Sequence, residues 1–141
     1  MKISDILHTK GTDVVTLSPD ASIRDLVNLL AEHNIGAVIV SADGRIIDGI
    51  VSERDIVRHL NELDSLDATA VRAIMTTVVQ TTTLGSPVDS LRRQMTDGRV
   101  RHVPVLDGDR LVGIVSIGDV VKSSIGELEF ERDQLSRYVS Q

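Results

Sequence analysis

Residues 49–58 read GIVSERDIVR, and residues 113–122 read GIVSIGDVVK, 64 positions later. Upstream of each stretch lies a second matched pair, IGAVIV at residues 35–40 and VRHVPV at residues 100–105, with an offset of 65. The one-residue difference falls in the turn between the paired stretches, where a deletion is tolerated best. A register kept over this distance predicts that one unit has been duplicated in the chain.

Each copy of the duplicated unit predicts the same order of elements, β-α-β-β-α. The capping residues Ser22 and Ser86 mark the start of the first helix in each copy. Asp-Gly pairs at residues 43–44 and 107–108 predict the hairpin turns. The predicted strands cover residues 14–17, 37–40 and 46–51 in the first copy and residues 78–81, 103–106 and 111–115 in the second.

The predicted fold class is α/β (α+β), with the two β-α-β-β-α repeats packed as a pseudo-twofold pair and a C-terminal helix after them. The 141-residue chain is 41% hydrophobic but has one Phe, one Tyr and no Trp. This enrichment in aliphatic residues suits buried strands covered by helices. A unit of about sixty residues buries too little surface by itself, so the copies are expected to pack on each other. The expected divisions are residues 1–61, 62–124 and 125–141.

Composition excludes several classes of function. Cysteine is absent, which removes disulfides and thiolate chemistry, and the four histidines do not stand at metal-ligand spacing. The net charge of −6 argues against nucleic acid and anionic membrane surfaces as partners. No apolar run approaches the length of a membrane span, and residues 1–5 lack the apolar core of a secretory signal. The sequence therefore predicts a soluble cytoplasmic protein.

The repeated GIVSxxD motif, preceded in the second copy by RHVPV at residues 101–105, resembles the cystathionine-β-synthase (CBS) domain family as a tandem pair. The resemblance extends over residues 1–124. The subgroup that the chain is similar to is the stand-alone bacterial pair related to the regulatory domain of inosine-monophosphate dehydrogenase. The resemblance implies a disc-like pair with two pseudo-symmetric clefts that bind adenosyl ligands, chiefly AMP, ADP or ATP.

Asp55 and Asp119, the acidic residues of the two motifs, are the candidates for binding a ribose diol. A carboxylate that accepts two hydroxyl hydrogen bonds suits a diol, and charge-assisted bonds are the strong ones. Ser52 and Ser116 begin the helix that follows, where free N–H groups and the helix dipole favour a phosphate. The same Ser-x-x-Asp spacing is also an ordinary helix capping box. The two roles can coexist, with the serine capping and the aspartate reaching the ligand.

Two further pairs of residues are assigned to the phosphate end of each cleft. Arg54 adds a cation beside Asp55, whereas its counterpart Gly118 adds none and permits close approach of the backbone. In the functional interpretation, Arg101 binds the phosphate in the Asp119 cleft and His102 faces the opposite cleft. The alternative is that both residues lie on a solvated strand edge.

The resemblance also implies residues that shape the clefts and hold the base. Pro104 is expected to shape the cleft wall. The Asp119 cleft is expected to be the stronger phosphate site of the two. Each base is expected to rest against the first strand of the other copy. The residues expected at the base could equally belong to the core: Val15 and Ile114 for the Asp119 cleft, and Ile50, Thr76, Val79 and Gln80 for the Asp55 cleft.

The last part of the chain predicts an amphipathic helix with a narrow apolar seam. Arg132 is the one polar interruption in a seam that repeats at alternating spacings of four and three residues: Val121, Ile125, Leu128, Leu135 and Val139. The helix could fold back on its own domain or contact a second copy. Because CBS pairs commonly dimerise, we expect a homodimer to which the tail contributes.

Taken together, the sequence predicts a non-catalytic regulatory module that senses energy status by binding an adenine nucleotide and signals to a downstream protein. AMP is the first candidate, with ADP, ATP and NAD(H) as alternatives, since two cationic groups in a small cleft favour a short phosphate chain. No phosphate-binding loop, nucleophile elbow or metal cluster supports an enzyme. The competing interpretation is a dimerisation or interaction scaffold whose clefts are vestigial.

Overall fold

Two three-stranded sheets and the helices that cover them form the molecule, a computed structural model that describes residues 1–140. The helices are α1 (Ile3–Lys10), α2 (Ile23–His33), α3 (Glu53–His59), α4 (Val88–Gly98) and α5 (Ile117–Ser140). The strands are β1 (Thr16–Leu17), β2 (Ala37–Val40), β3 (Gly49–Ser52), β4 (Thr82–Thr83), β5 (His102–Asp107) and β6 (Arg110–Ser116). Short 3-10 turns cover Leu60–Glu62 and Val71–Ala73. Within these residues no helix combines the length and apolarity needed to cross a membrane.

The two sheets have the same topology. The first has the order β1-β2-β3 and the second the order β4-β5-β6. In each sheet the first strand pairs with the central strand in parallel, and the central and last strands form an antiparallel hairpin. Val38 faces Val51 across the first hairpin, and Val103 faces Val115 across the second, all four fully buried. The mixed α/β fold with a C-terminal helix is thereby confirmed.

The first strand of each repeat is shorter than the sequence predicts. β4 begins at Thr82, after the predicted strand at residues 78–81, and β1 keeps only Thr16 and Leu17 of the predicted residues 14–17. The residues ahead of each strand do not pair in the sheet and instead line a cleft between the repeats. The side chain of Val78 is accordingly 87% exposed.

Each sheet is covered partly by a segment that precedes the other repeat. α1 packs Ile3, Ile6 and Leu7 into the core of the second sheet, and the Ile3 N–H donates to the Ser86 carbonyl at 2.9 Å. Residues 69–76 cover the first sheet in the same way, with Val71 and Ile74 in its core. Each core therefore draws on residues from both sides of position 61.

The glycine of each GIVS motif leaves room for the crossing segment. A Cβ at Gly49 would lie 2.7 Å from the carbonyl oxygen of Thr76, and a Cβ at Gly113 would lie 2.7 Å from Cδ1 of Leu7. Real Cβ atoms essentially never come this close to another heavy atom. A side chain at residue 49 is therefore incompatible with the crossing backbone of Thr76, whereas one at residue 113 would require the Leu7 side chain to move.

α5 is one continuous helix that joins the last element of the second repeat to the tail, so the expected division at residue 125 falls inside it. Val120 is buried in the core of the second sheet, but the apolar seam beyond it is left exposed by the residues that the structure describes. Ile125 is 52% exposed, Leu128 65% and Leu135 66%. Over the described residues, this apolar seam is therefore not packed on its own domain, although Phe130 on another face of α5 lines a cavity with α1.

Candidate functional site

Two clefts lie between the repeats, with volumes of about 320 Å³ and 350 Å³. The first cleft contains the Ser52–Asp55 corner together with residues 78–80 and residues 99–102. The second cleft contains Ser116 together with residues 13–15 and residues 34–37. Each cleft is therefore built from the Ser-x-x-Asp corner of one repeat and the helix-to-strand turn of the other.

At the first cleft, the capping box and a ligand-binding carboxylate are compatible. The Ser52 N–H donates to Asp55 Oδ2 at 2.8 Å, the Ser52 hydroxyl to the same oxygen at 3.1 Å, and the Asp55 N–H to Ser52 Oγ at 3.3 Å. These bonds cap α3. Asp55 Oδ1 has no hydrogen-bond partner among residues 1–140, so this oxygen is available to accept from a hydroxyl group.

Four arginines line the first cleft: Arg54, Arg58, Arg99 and Arg101. None of them forms a salt bridge in the part of the chain that the structure describes. Asp55 and Glu53 are the acidic side chains that accompany them. The cleft therefore has an excess of positive charge in guanidinium form, which suits the oxygens of a phosphate group.

Arg101 lies in the first cleft and not in the Asp119 cleft, where the sequence interpretation placed it. The turn from α4 to β5 crosses over to face the Ser52 corner of the other repeat, and Arg101 follows it. In the same turn Arg99 adopts the left-handed backbone conformation, with φ 52°. The equivalent turn of the first repeat supplies Asn34 (φ 53°) and Gly36 to the second cleft.

The second cleft contains an internal ion pair. The Lys10 ammonium lies 2.7 Å from Asp119 Oδ2 and donates to the carbonyl oxygen of Ile114 at 2.8 Å. Ser116 caps α5, with its N–H 2.8 Å from the same Asp119 oxygen. Asp119 therefore lies behind Lys10, and it lines a larger cavity of about 640 Å³ between α1 and α5. The stronger phosphate site expected at Asp119 is not what the charges indicate.

Two titratable groups respond to this arrangement. Burial acts to raise the pKa of Asp119, but the Lys10 ammonium and the Ser116 N–H outweigh it and hold the pKa below the ordinary value. Burial, aided by the charge of Lys10, lowers the pKa of His102, against the opposing effect of Asp119 and Glu53. His102 lines both clefts and not only the one opposite Asp119, and it is neutral at pH 7.

The other predicted site residues divide into those at a cleft and those away from one. Val15 and Ile114 line the second cleft, whereas the first cleft contains Ile50, Thr76, Val79 and Gln80. Pro104 is buried on β5 opposite Ile114, and Gly118 follows the Ser116 corner; neither lines a cleft.

The sequence interpretation missed three cationic residues of the clefts. Arg58 could have been found from its spacing, since it follows Arg54 by four positions on the same face of a helix. Arg99 precedes the RHVPV motif by two residues, which is a weaker signal. Lys10 gives no signal in sequence, because its partner Asp119 is 109 residues away.

The two Ser-x-x-Asp corners, matched sheets and paired clefts have counterparts in known proteins. The family model described as CBS domain matches residues 3–62 and again residues 71–126. The chain belongs to the CBS domain family. The CBS domain-containing protein CBSX3, mitochondrial, of Arabidopsis thaliana is 34% identical over 146 residues, covering 97% of this chain and 71% of that protein. The tandem CBS pair expected from the motifs is confirmed.

Solved CBS structures agree with the fold over most of the chain. The CBS domain structure NE2398 has a TM-score of 0.85 and 37% identity, over 89% of this CBS pair and 98% of that chain. PAE2072 from Pyrobaculum aerophilum, complexed with AMP, has a TM-score of 0.75 and 29% identity, over 84% and 89%. The CBS pair of MJ0100, in complex with 5′-methylthioadenosine and S-adenosyl-L-methionine, has a TM-score of 0.78 and 28% identity, over 90% and 98%. This chain is therefore a CBS pair regulatory module.

Proposed function

We propose that this CBS pair binds an adenine nucleotide in the first cleft, with AMP as the first candidate, and reports its occupancy to a downstream protein without turning it over. The observation that carries the proposal is a set of four arginines in the cleft of Asp55 that form no salt bridge with any residue between 1 and 140. The adenosyl ligands of PAE2072 and MJ0100 support the choice of an adenine nucleotide.

The residues of the first cleft suit the three parts of such a ligand. Asp55 Oδ1 accepts hydrogen bonds from the ribose diol, and the arginines, Arg101 among them, bind the phosphate. The base rests against Ile50 and Val79, beside the backbone of residues 76–80. The hydroxyl of Ser52 is occupied by the capping box, so the polar groups of the cleft bind and orient the ligand and leave its bonds intact.

Regulation follows from the position of the cleft between the repeats. Arg54, Arg58 and Asp55 belong to the first repeat, whereas Arg99 and Arg101 belong to the second. A phosphate held by both sets favours the arrangement in which the two sides are close, and a ligand shifts an equilibrium by its difference in affinity for the two states. The downstream protein would recognise that arrangement.

The test measures AMP binding by titration calorimetry in matched aspartate variants. Asp55→Asn should weaken AMP binding about tenfold or more, because hydrogen bonds to charged groups contribute about 1.5–3 kcal/mol. Asp25→Asn is the control, since Asp25 forms the same capping box with Ser22 on α2 but lies in neither cleft. Equal affinity in wild type and Asp55→Asn would remove Asp55 from the site. Absence of binding for AMP, ADP, ATP and NADH would favour the scaffold interpretation.

We also propose that the chain is a homodimer joined through the seam of α5. The exposed seam has the spacing of a coiled coil, and Arg132 lies within it next to Glu131 and Asp133. In a parallel pair two Arg132 side chains would face each other, whereas an antiparallel pair places each near Leu128 and the acidic flank of the second copy. The antiparallel arrangement therefore fits the charges better.

The dimer is tested by light scattering during size-exclusion chromatography. Leu128→Asp should convert the dimer to a monomer, because it places a charge in the seam. Phe130→Asp is the matched control: Phe130 is exposed to nearly the same extent, 64% against 65%, and lies on the opposite face of the helix. A dimer that survives Leu128→Asp would place the contact on another surface.

A further inference from the structure

The second cleft holds a cation of its own chain, Lys10, against Asp119, the carboxylate that is equivalent to Asp55 of the first cleft. We infer that Lys10 is a specificity-determining residue that closes the second cleft to nucleosides and confines adenine nucleotide binding to the first cleft. The inference rests on the proposed function of the first cleft, and it concerns residues that belong to the second.

The two Ser-x-x-Asp corners differ in the hydrogen-bond donors that contact their equivalent oxygen atoms. At the first cleft, the Ile50 carbonyl accepts from the backbone N–H of Thr76 at 2.8 Å, and Asp55 forms no salt bridge within the described part of the chain. At the second, the Ile114 carbonyl and Asp119 Oδ2 both accept from the Lys10 ammonium. The Lys10 ammonium thus takes the place of the backbone N–H that contacts Ile50 in the first cleft, and also of the ribose hydroxyl groups that we propose for Asp55.

A ribose could displace this ammonium only at a net loss. The ion pair between Lys10 and Asp119, in which both partners are charged, would be exchanged for hydrogen bonds in which only the carboxylate is charged. The Lys10 side chain is 30% exposed, so its charge would lose its partner in a partly buried place. α1 holds Lys10 there, because Ile6 and Leu7 are buried in the core of the second sheet.

The rest of the second cleft offers little to a phosphate. Asn34 and Gly36 stand where the first cleft has Arg99 and Arg101, and Asp13 adds a negative charge. Once the charge of Lys10 is removed, Asp119 behind it is released to accept from a diol, and the cleft lining offers no cation for a phosphate. The ligand class that it would then accept is an uncharged nucleoside.

The experiment uses the full chain and the probe adenosine, measured by titration calorimetry. Lys10→Met should create an adenosine site that binds about tenfold or more tightly than any second site of the wild type. Adding Asp119→Asn to Lys10→Met should abolish the new site. Lys122→Met is the control. Lys122 lies on α5 and, like Lys10 and Asp119, lines the cavity between α1 and α5, but it makes no salt bridge among the described residues.

The outcomes separate this inference from the proposed function. Lys10→Met combined with Asp55→Asn reports on the second cleft alone, whether or not the first binds AMP. A folded Lys10→Met variant that gains no adenosine site overturns the inference, as does a wild-type chain that binds two nucleotides, one of them lost in Asp119→Asn. Should Lys10→Met not fold, Lys10→Gln keeps a neutral donor for the Ile114 carbonyl and is judged by the same two outcomes.

Discussion

The first and second clefts share a backbone and differ in their charges. Both have a Ser-x-x-Asp corner at a helix start and a left-handed residue in the facing turn. The first adds four arginines without ion-pair partners within residues 1–140, and the second adds an aspartate and a lysine already paired with the corner carboxylate. Duplication has thus preserved the geometry of the site while the residues around it have diverged.

Because each cleft is lined by both repeats, a change in one copy alters the cleft whose corner belongs to the other. Arg101 is in the second repeat, yet its charge acts beside Asp55 of the first. Gly36 is in the first repeat, yet it leaves the second cleft without a guanidinium. Comparing the sequences of the two copies therefore shows which cleft a charged residue lines only once it is known that the helix-to-strand turn of each repeat faces the corner of the other.

The largest expected effect comes from removing the arginines of the facing turn. The double variant Arg99→Met, Arg101→Met should weaken AMP binding about a hundredfold, since each lost charge-assisted bond costs about 1.5–3 kcal/mol. Titration calorimetry measures this, with Arg93→Met on α4 as the control because Arg93 is exposed and lies in neither cleft. An AMP affinity within threefold of wild type, roughly the spread expected for exposed charges, would show that the phosphate lies elsewhere.

A smaller effect should follow from giving the second cleft the cation that it lacks. In the Lys10→Met background, Asn34→Arg should raise the preference for AMP over adenosine by about tenfold, through one new charge-assisted bond. The left-handed backbone is no obstacle, because Arg99 adopts the same conformation in the first cleft. Competition titrations with the two ligands give the ratio. An unchanged preference would mean that residue 34 does not face the phosphate position.

The smallest expected effect is on the pH dependence of stability, through the histidine between the clefts. His102 faces Lys10, Asp119, Glu53 and Arg101, and its folded pKa is lowered. Below its ordinary value of about 6.5 the unfolded chain takes up a proton that the folded chain resists. The stabilising effect of the neutral ring is therefore complete above pH 6.5 and declines as the pH falls toward the folded pKa.

Urea unfolding at pH 7.5 and pH 5.5 measures this difference. The wild type should lose more of its free energy of unfolding between these values than His102→Gln does, by at most about 1.4 kcal/mol for each pH unit. Comparing the two proteins cancels the contribution of the other titrating groups. Identical losses in both would show that the ring is not held neutral by its surroundings.

Much of the fold was predictable from the sequence because it depends on local patterns. The apolar segments form strands, Ser22 caps α2, and Asp107 and Gly108 lie at the second hairpin turn. Two local predictions were wrong: Pro87 and not Ser86 is the N-cap residue of α4, and Asp43 and Gly44 lie within a longer loop between β2 and β3. The GIVSxxD corners are local too, so Asp55 and Asp119 could be identified as equivalent. The start of β4 could not be predicted from the sequence. Residues 78–81 are apolar enough for a strand, but they face a cleft instead of a neighbouring strand.

The charges of the site were not predictable in the same way, because they depend on contacts between distant segments. Lys10 reaches Asp119 only because α1 packs on the second sheet, and Arg101 reaches the first cleft only because the turn after α4 crosses between the repeats. Local patterns carry no information on either crossing. The duplication indicated two equivalent sites, and long-range packing made them unequal.

The exchange of covering segments between the sheets has a consequence for biosynthesis. α1 is translated before the second repeat, but the apolar residues that share a core with Ile3 and Leu7 extend from Val88 to Val120. The apolar face of α1 therefore lacks its core partners until the second repeat has been synthesised. Contacts of such high sequence separation slow folding, and a chain cut near residue 62 would leave both halves with an incomplete interior and a tendency to aggregate.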